Sequence, residues 1–288
     1  MSESEEKIIE IDNVYYEYPE GIQALRGVTN YVLRGEIVAI MGENGAGKTT
    51  LIKHFNGLLK PTRGRIKVKD KDTRETSVAE LSRIVGIVFQ NPDHQLFAET
   101  VFDEVAFPLR NFGFPEDAIE NRVKWALNIL ELYQYRDNSP FMLSVGERKR
   151  LAIASVLAYD PEVIVLDEPT AGQDYLQKEK ISEIIKLLKL MGKTIVLVTH
   201  DVEFVTMYVQ RIIVMSQGKI IAEGPPHRVL TDYNVIRRGN LLPPQLVRIS
   251  RALYGKSLLD RYDYLSVEDL TRELISKMRE TNGGTTSI

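Results

Sequence analysis

The chain has 288 residues, enough for one large domain with an appendage or for two small domains, and its 43% apolar and 27% charged residues are ordinary for a soluble globular protein. A net charge of −3 gives no support to a general nucleic-acid binder, and the lack of cysteine excludes disulfides and thiolate metal sites. Because no apolar run approaches roughly 18 residues and the acidic start is unlike a secretory signal, we expect a cytosolic chain that reaches a membrane only through a partner.

Strand-like and helix-like patterns alternate along most of the chain. Residues 7–35 look like an antiparallel β piece, punctuated by glycines and Pro19. Five β-branched-rich runs then suit strands that are buried on both faces of a parallel sheet: residues 36–41, 83–89, 162–167, 194–199 and 211–216. One helical face of residues 174–191 carries apolar side chains: Ile181, Ile184, Ile185, Leu188 and Met191. Strands that alternate with helices predict an α/β domain whose sheet is covered on both sides.

Two longer segments interrupt this alternation. Residues about 96–160 are mostly helical in pattern and predict a helical subdomain inserted between two sheet strands. After Pro225–Pro226 a helical pattern continues to about Tyr233, and residues 232–288 predict a C-terminal extension with two amphipathic helices. The composition of the last residues, TNGGTTSI, favours disorder. We therefore divide the chain into a main domain, residues 1–231, and the extension.

Residues 42–49, GENGAGKT, match the phosphate-loop pattern G-x-x-x-x-G-K-[ST] and stand between a buried strand and a helical run, which is the context that the pattern requires. Glycines let successive backbone N–H groups curl around phosphate oxygens. Lys48 is expected to reach the β and γ phosphates and Thr49 to bind Mg²⁺, while the helix start adds its dipole. The sequence therefore predicts a nucleotide site formed by Gly42, Glu43, Asn44, Gly45, Ala46, Gly47, Lys48, Thr49 and Thr50.

A second motif, EVIVLDEPT (162–170), ends a predicted strand with two acids. Asp167 is placed to hold the water shell of Mg²⁺, and Glu168 is placed to orient or deprotonate an attacking water. Two solvated acids would be the simpler interpretation of this motif alone, but its pairing with a phosphate loop favours phosphoryl chemistry.

A helix start lies in LSVGERKR (143–150), ahead of an apolar-periodic run. Ser144 is expected to cap this helix, and Glu147 to reach back to the Ser144 amide. Such a capping box stabilises a helix by about 1 kcal/mol. A capped helix start is also an anion site, which raises the question of whether it touches a phosphate.

The order of these motifs resembles the nucleotide-binding domain of ATP-binding cassette (ABC) proteins, a P-loop NTPase fold, over residues 7 to about 230. The resemblance gives meaning to further positions that are weak signals alone: Tyr18, Gln90, AGQD (171–174) and His200. It implies that Tyr18 stacks on adenine and that Asp174 crosses a dimer interface. It also implies that Gln90 contacts Mg²⁺ or water and links the site to a transmembrane partner.

In this resemblance LSVGERKR corresponds to the signature sequence, usually LSGGQ, which caps the ATP held by the opposite subunit. Ser144 and the amide of Gly146 would then meet that subunit's γ phosphate, with Glu147 beside them. The sequence departs from the pattern twice, since Val145 replaces a glycine and Glu147 replaces a glutamine. Glu147 places a carboxylate near anionic phosphate, although three basic residues follow it: Arg148, Lys149 and Arg150.

Residues 90–97, QNPDHQLF, and the extension resemble the ATPases of energy-coupling-factor (ECF) importers, and within them the cobalt and nickel group. The resemblance implies a peripheral protein at the cytoplasmic face of the cell membrane that uses ATP and Mg²⁺ and drives uptake of metal ions or vitamins. Its implied partners are a second ATPase subunit, identical or paralogous, a transmembrane coupling protein and a substrate-binding membrane protein. The extension is expected to help hold the ATPase dimer together; the alternative is a helical lid that merely covers exposed core.

The implied mechanism is an ATP-driven switch. ATP closes the dimer because both nucleotides are shared across the interface. Hydrolysis, with Glu168 as the catalytic carboxylate and His200 holding the γ phosphate, lets the dimer open again.

Other ABC ATPases are the main alternatives. The ATPase of a different importer or of an exporter remains an alternative. Glu168 and His200 argue against a regulatory module that holds ATP without turnover. A chromosome or DNA-repair ATPase is discounted because only 96 residues separate Lys48 from Ser144, too few for the long coiled coil of that class. A translation-factor ATPase is discounted because that group typically carries two cassettes in one chain.

Overall fold

The structure, a computed structural model, describes residues 6–283, with side chains described through residue 279. The strands are β1 Lys7–Glu17, β2 Gln23–Leu33, β3 Ile37–Met41, β4 Arg63–Val68, β5 Lys71–Asp72, β6 Val85–Val88, β7 Val163–Asp167, β8 Thr194–Val198, β9 Arg211–Ser216 and β10 Lys219–Gly224. The helices are α1 Lys48–Phe55, α2 Val78–Ser82, α3 Val101–Asn111, α4 Glu116–Ile129, α5 Val145–Leu157, α6 Tyr175–Leu190, α7 Val202–Tyr208, α8 Pro226–Val229, α9 Tyr233–Arg238, α10 Gln245–Tyr254 and α11 Val267–Gly283.

The antiparallel piece predicted for residues 7–35 forms one side of a small sheet. β1 pairs antiparallel with β2 and with β4, and the strand order is β2-β1-β4-β5. β4 was not predicted, because its six residues RGRIKV are half charged and only Ile66 and Val68 are buried. Tertiary pairing with β1, rather than an apolar run, makes this segment a strand.

The five predicted apolar runs form the second sheet, in the order β10-β9-β3-β8-β7-β6. β3 and β6 to β9 are parallel, as expected, and every residue of β3, β6, β7 and β8 is buried. β10 adds an antiparallel edge strand that the sequence did not predict, since its apolar run is only three residues long and none of its residues is fully buried. The α/β prediction with a mainly parallel sheet is confirmed.

The two faces of the large sheet bury different cores. Along β7, Val163 and Val165 pack with the antiparallel sheet and α1, whereas Ile164 and Leu166 pack with the helices. Successive strand residues point to opposite faces, so a strand covered on both sides needs an unbroken apolar run. This is why these strands were visible in the sequence.

The predicted helical segment consists chiefly of α3, α4 and α5, and their buried apolar residues share one cluster with the sheet face that carries Ile164. Ile181, Ile184, Ile185 and Leu188 of α6 are buried in the same cluster, whereas Met191 lies just beyond the helix and is partly exposed. Ile236 of α9 and Leu241 also belong to it. The predicted boundary at residues 231/232 stays a prediction.

The extension has a small core of its own. Leu259, Tyr264 and Leu270 are buried together between α10 and α11, the two predicted helices. α11 continues to Gly283, and the rest of the tail that was predicted to be disordered lies outside the described residues. Within residues 6–283 no helix is long and apolar enough to cross a membrane.

Candidate active site

The carboxyl ends of the central parallel strands carry the residues that the motifs singled out. β3 leads into the loop 42–47, β7 ends at Asp167, and β8 ends two residues before His200. A pocket of about 360 Å³ opens at this edge, and the predicted residues that line it are Tyr18, Asn44, Gly45, Gly47, Lys48, Thr49, Thr50, Gln90, Asp167, Glu168 and His200. Open α/β sheets bind their ligands at this edge.

Close approach of the backbone requires two of the loop glycines. Gly42 has φ 142°, and a Cβ atom there would overlap the carbonyl oxygen of Met215 in β9. Gly47 has φ 99°, and its Cβ would lie 2.5 Å from Ala24 O in β2. Both positions favour glycine, which lets the loop curl tightly between the two strands before α1 begins.

Lys48 begins α1 at the inner end of this loop, and its side chain is buried. Its Nζ donates to the carbonyl oxygens of Gly42 at 2.7 Å and Glu43 at 2.9 Å. Burial lowers the pKa of Lys48, and the acidic groups at residues 167, 168 and 43 oppose that shift. A buried ammonium group beside an α-helix N-terminus is a strong site for an anion such as a phosphate.

Thr49 and Asp167 lie side by side, as the motifs predicted. Thr49 Oγ1 donates to Asp167 Oδ2 at 3.0 Å, and burial raises the pKa of Asp167. A bound cation would favour the carboxylate form. The hydroxyl and carboxylate oxygens, with the Gln90 side chain lining the same pocket, fit an oxygen-preferring ion such as Mg²⁺.

Glu168 and His200 meet just beyond the carboxyl ends of β7 and β8. His200 Nδ1 lies 2.9 Å from Glu168 Oε1, whereas Glu168 Oε2 is buried without a hydrogen-bond partner among the described residues. Glu168 has a left-handed backbone, φ 48°, and its N–H donates to Val198 O at 2.7 Å. Glu168 also lines the pocket, so its carboxylate lies beside the space where a nucleotide and a water would bind.

Tyr18 is supported by a stack of two further aromatic rings, and no motif in the sequence indicated this stack. The Tyr18 hydroxyl lies 3.0 Å from Thr50 Oγ1, and its ring meets Tyr16 edge-on at 4.9 Å. Tyr16 in turn meets His54 edge-on at 4.9 Å. The stack holds the ring of Tyr18, the predicted adenine-binding residue, against α1. It forms through the packing of β1 on α1, so the sequence did not indicate it.

His54 makes the stability of the chain depend on pH. Its side chain is fully buried, Nδ1 bonds Thr50 O at 2.7 Å, and burial lowers its pKa from 6.5 to about 4. Because the folded pKa lies below the unfolded one, stability is complete above pH 6.5 and is lost as pH falls towards 4. Between pH 7 and pH 5 the loss from this residue is about 2 kcal/mol.

Denaturant unfolding of the parental chain and of His54→Phe at both pH values checks this expectation. The parental chain should lose about 2 kcal/mol more than the variant on going from pH 7 to pH 5, whatever their difference at pH 7. Equal losses for the two proteins would contradict it.

The signature segment lies outside this pocket, at the start of α5. The predicted capping box is confirmed: Glu147 N donates to Ser144 Oγ at 3.3 Å, and Ser144 N donates to Glu147 Oε2 at 2.8 Å. Hydrogen bonding from the Ser144 hydroxyl is the main reason that the pKa of Glu147 is lowered. A Cβ on Gly146 would lie 2.7 Å from Gln177 Oε1, so the signature touches the start of α6, which Asp174 caps.

Comparison with known proteins agrees with this geometry. A sequence profile described as "ABC transporter" matches residues 25–171, half of the chain. The "Energy-coupling factor transporter ATP-binding protein EcfA" of Methanocaldococcus jannaschii is 41% identical over 275 residues, which are 95% of this chain and 99% of that protein. The chain belongs to the ABC transporter ATPase family.

Solved structures place this ABC ATPase among known cassettes. The cbiO1 protein of Clostridium perfringens, described as part of the ABC transporter complex cbiONQ, is 41% identical with a TM-score of 0.71, over 87% of this chain and all of that one. A cassette dimer in a post-hydrolysis state, bound to ADP and Pi, is 32% identical with a TM-score of 0.69, over 76% of this chain and 98% of the other. The predicted fold and ATPase activity are therefore confirmed.

Proposed function

We propose that this ABC ATPase is the ATP-binding and hydrolysing subunit of an importer of the ECF type, which takes up cobalt or nickel ions or a vitamin. One observation carries the proposal: a phosphate loop, an acid pair and a histidine share one pocket in a chain whose likeness to an ECF ATPase spans 95% of its length, including most of the extension. In this proposal the chain works at the cytoplasmic face of the membrane.

Each hydrolytic role falls to a side chain of the pocket. Lys48 holds the phosphates, Glu168 takes the proton of the attacking water, and His200 fixes the Glu168 carboxylate through Oε1. Bound Mg²⁺ neutralises charge that develops on the phosphates. Thr49 and Asp167, with Gln90, are the residues that would hold it.

A second ATPase subunit is proposed to cover the face that carries the signature. Exposed apolar side chains flank Ser144 and Asp174 there: Phe141, Met142, Val145, Tyr175 and Leu176. The contact between Gly146 and Gln177 makes this a single patch. Apolar groups gathered around an exposed helix N-terminus suit a partner surface that brings its own nucleotide.

The C-terminal extension is proposed to strengthen the same dimer. Arg251 ties α10 to the main domain, since its guanidinium group lies over the rings of Tyr233 and Tyr262 and donates to Thr231 O at 2.6 Å. Beyond this anchor the extension leaves several large apolar side chains exposed: Leu242, Ile249, Leu258, Val267, Ile275 and Met278. A second copy of the extension would bury them.

The transmembrane coupling protein is proposed to dock in a groove between the large sheet and the helical segment. The groove has a volume of about 730 Å³, and Phe97 and Phe107 meet edge-to-face on its wall with ring centres 4.7 Å apart. Phe97 is 59% exposed, yet its backbone is fixed, because the buried Glu104 carboxylate accepts from Phe97 N and Ala98 N, both at 2.8 Å. Exposed aromatic rings on a fixed backbone are typical binding anchors.

Removing these rings should weaken the stimulation of the ATPase by its partner. With purified coupling protein in liposomes, Phe97→Ser with Phe107→Ser should raise the partner concentration for half-maximal stimulation about 10-fold, which corresponds to about 1.4 kcal/mol. MgATP binding should be unchanged, since neither ring lines the nucleotide pocket.

The matched control is Leu190→Ser, which removes an exposed apolar side chain at the end of α6. It should retain parental stimulation. Full stimulation of the double Phe variant would contradict the proposed docking groove. Stimulation of the parental ATPase only by the membrane subunits of another importer or of an exporter would favour the alternative transport class.

A further inference from the structure

Three consecutive basic residues that follow Glu147 contact three different elements of the chain. Consecutive helical residues point about 100° apart, so they cannot share one face. Arg148 Nε lies 3.0 Å from Asp93 Oδ1 in the loop 90–97, and Arg150 Nη1 donates to Gln177 Oε1 at 2.6 Å. Lys149, between them, reaches the turn that follows β7.

Carbonyl oxygens of this turn hold the Lys149 ammonium group. Its Nζ donates to Ala171 O at 2.6 Å and lies 3.4 Å from both Glu168 O and Pro169 O. Only 7% of Lys149 is exposed, and burial lowers its pKa. Burying an ammonium group costs desolvation energy that an apolar side chain of similar length would avoid, so packing alone does not explain a lysine here.

The turn that Lys149 holds contains a strained residue. Glu168 has φ 48°, a conformation that costs a non-glycine residue about 1–2 kcal/mol. Its N–H is bound to Val198 O, and its carbonyl oxygen accepts from Ala171 N at 3.2 Å. Such strain persists where the surroundings over-determine it. Lys149 supplies one of these restraints, directly on the backbone that presents the carboxylate to His200.

We propose that Lys149 is a positioning residue for ATP hydrolysis, which ties α5 to the turn 168–171 and thereby sets the position of the Glu168 carboxylate. The inference rests on the proposed role of Glu168 as the base. Because Ser144 caps α5, engagement of the signature by the second subunit's nucleotide would reach Glu168 through this same contact. Each chain would thus couple the nucleotide that it caps to the nucleotide that it hydrolyses.

The test measures steady-state ATP hydrolysis and MgATP binding for Lys149→Met and Lys149→Gln. Lys149→Met should lower kcat at least about 10-fold while the Kd for MgATP stays within about threefold. Lys149→Gln, which keeps two N–H donors, should recover part of the lost kcat. Added to Glu168→Gln, Lys149→Met should cause no further loss of the residual rate, because both changes act through one group.

The matched control is Lys193→Met. Lys193 is 12% exposed in its side chain, and its Nζ lies 2.6 Å from Asp160 Oδ1 at the opposite edge of the sheet. This variant should keep parental kcat, which separates the effect of losing any mostly buried lysine from the effect that is specific to Lys149.

Parental kcat in Lys149→Met, or an equal fold-loss in the Glu168→Gln background, would overturn the inference. If Lys149→Met does not fold, Lys149→Ala takes its place, and parental kcat in Lys149→Ala would overturn the inference. Lack of ATP hydrolysis by the parental chain with its membrane partners would remove the proposed function, and the inference with it.

Discussion

Replacing Glu168 with glutamine is expected to lower ATP turnover by roughly 100- to 10,000-fold, the range that a general base contributes. MgATP binding should stay within about threefold of the parental value, because glutamine keeps the shape of the side chain and Lys48 holds the phosphates. The physical reason is that the Glu168 carboxylate lines the nucleotide pocket, and an amide in its place cannot accept a proton. Phosphate release under saturating MgATP measures the effect.

Glu75→Gln is a suitable control, since Glu75 is an exposed acid in the loop before α2. It should turn over ATP at the parental rate. A parental rate in Glu168→Gln would show that another group activates the water, and the assignment of the base would then be wrong.

Lys48→Ala is expected to weaken MgATP binding by on the order of 100-fold, because a desolvated charge partner of the phosphates is lost. Equilibrium dialysis with labelled ATP measures it. The variant should remain folded, since among the described residues Lys48 bonds to the carbonyl oxygens of Gly42 and Glu43 in its own loop.

Lys60→Ala serves as the control for Lys48→Ala. Lys60 is exposed and donates to Arg74 O at 2.7 Å, away from the pocket. It should bind MgATP normally. Unchanged binding in Lys48→Ala would contradict the phosphate-loop assignment.

The large sheet and its pocket were predictable because both leave strong local signals. A strand buried on both faces, such as β7, must be apolar throughout, and the phosphate loop and Asp167 lie where strands end. Parallel strands bring such ends together, so separate motifs in the sequence become neighbours in space.

Other features were invisible because tertiary contacts create them. β10 is an exposed edge strand, and the stack of His54 on Tyr16 depends on how β1 lies over α1. The basic residues after Glu147 show the limit of sequence reasoning most clearly. As a simple run of charges, these residues would offset the negative charge of Glu147 near a phosphate. In the structure, however, Lys149 and Arg150 are buried in contacts within their own chain.

The departures in the signature look milder in the structure than in the sequence. The amide and the hydroxyl of Ser144 both donate hydrogen bonds to the Glu147 carboxylate, at 2.8 Å or less. Val145 is helical and exposed, so its branched side chain does not strain the backbone. Both observations are compatible with a signature that caps a nucleotide.

The most direct test of the ATP-driven dimer switch is the solution mass of Glu168→Gln protein with and without MgATP. The account predicts that the mass rises towards that of two chains when MgATP is added, because Ser144 and Gly146 of each chain cap the nucleotide of the other. A dimer already present without MgATP would assign the association to the C-terminal extension. A single chain under both conditions, with ATP demonstrably bound, would contradict closure of a homodimer.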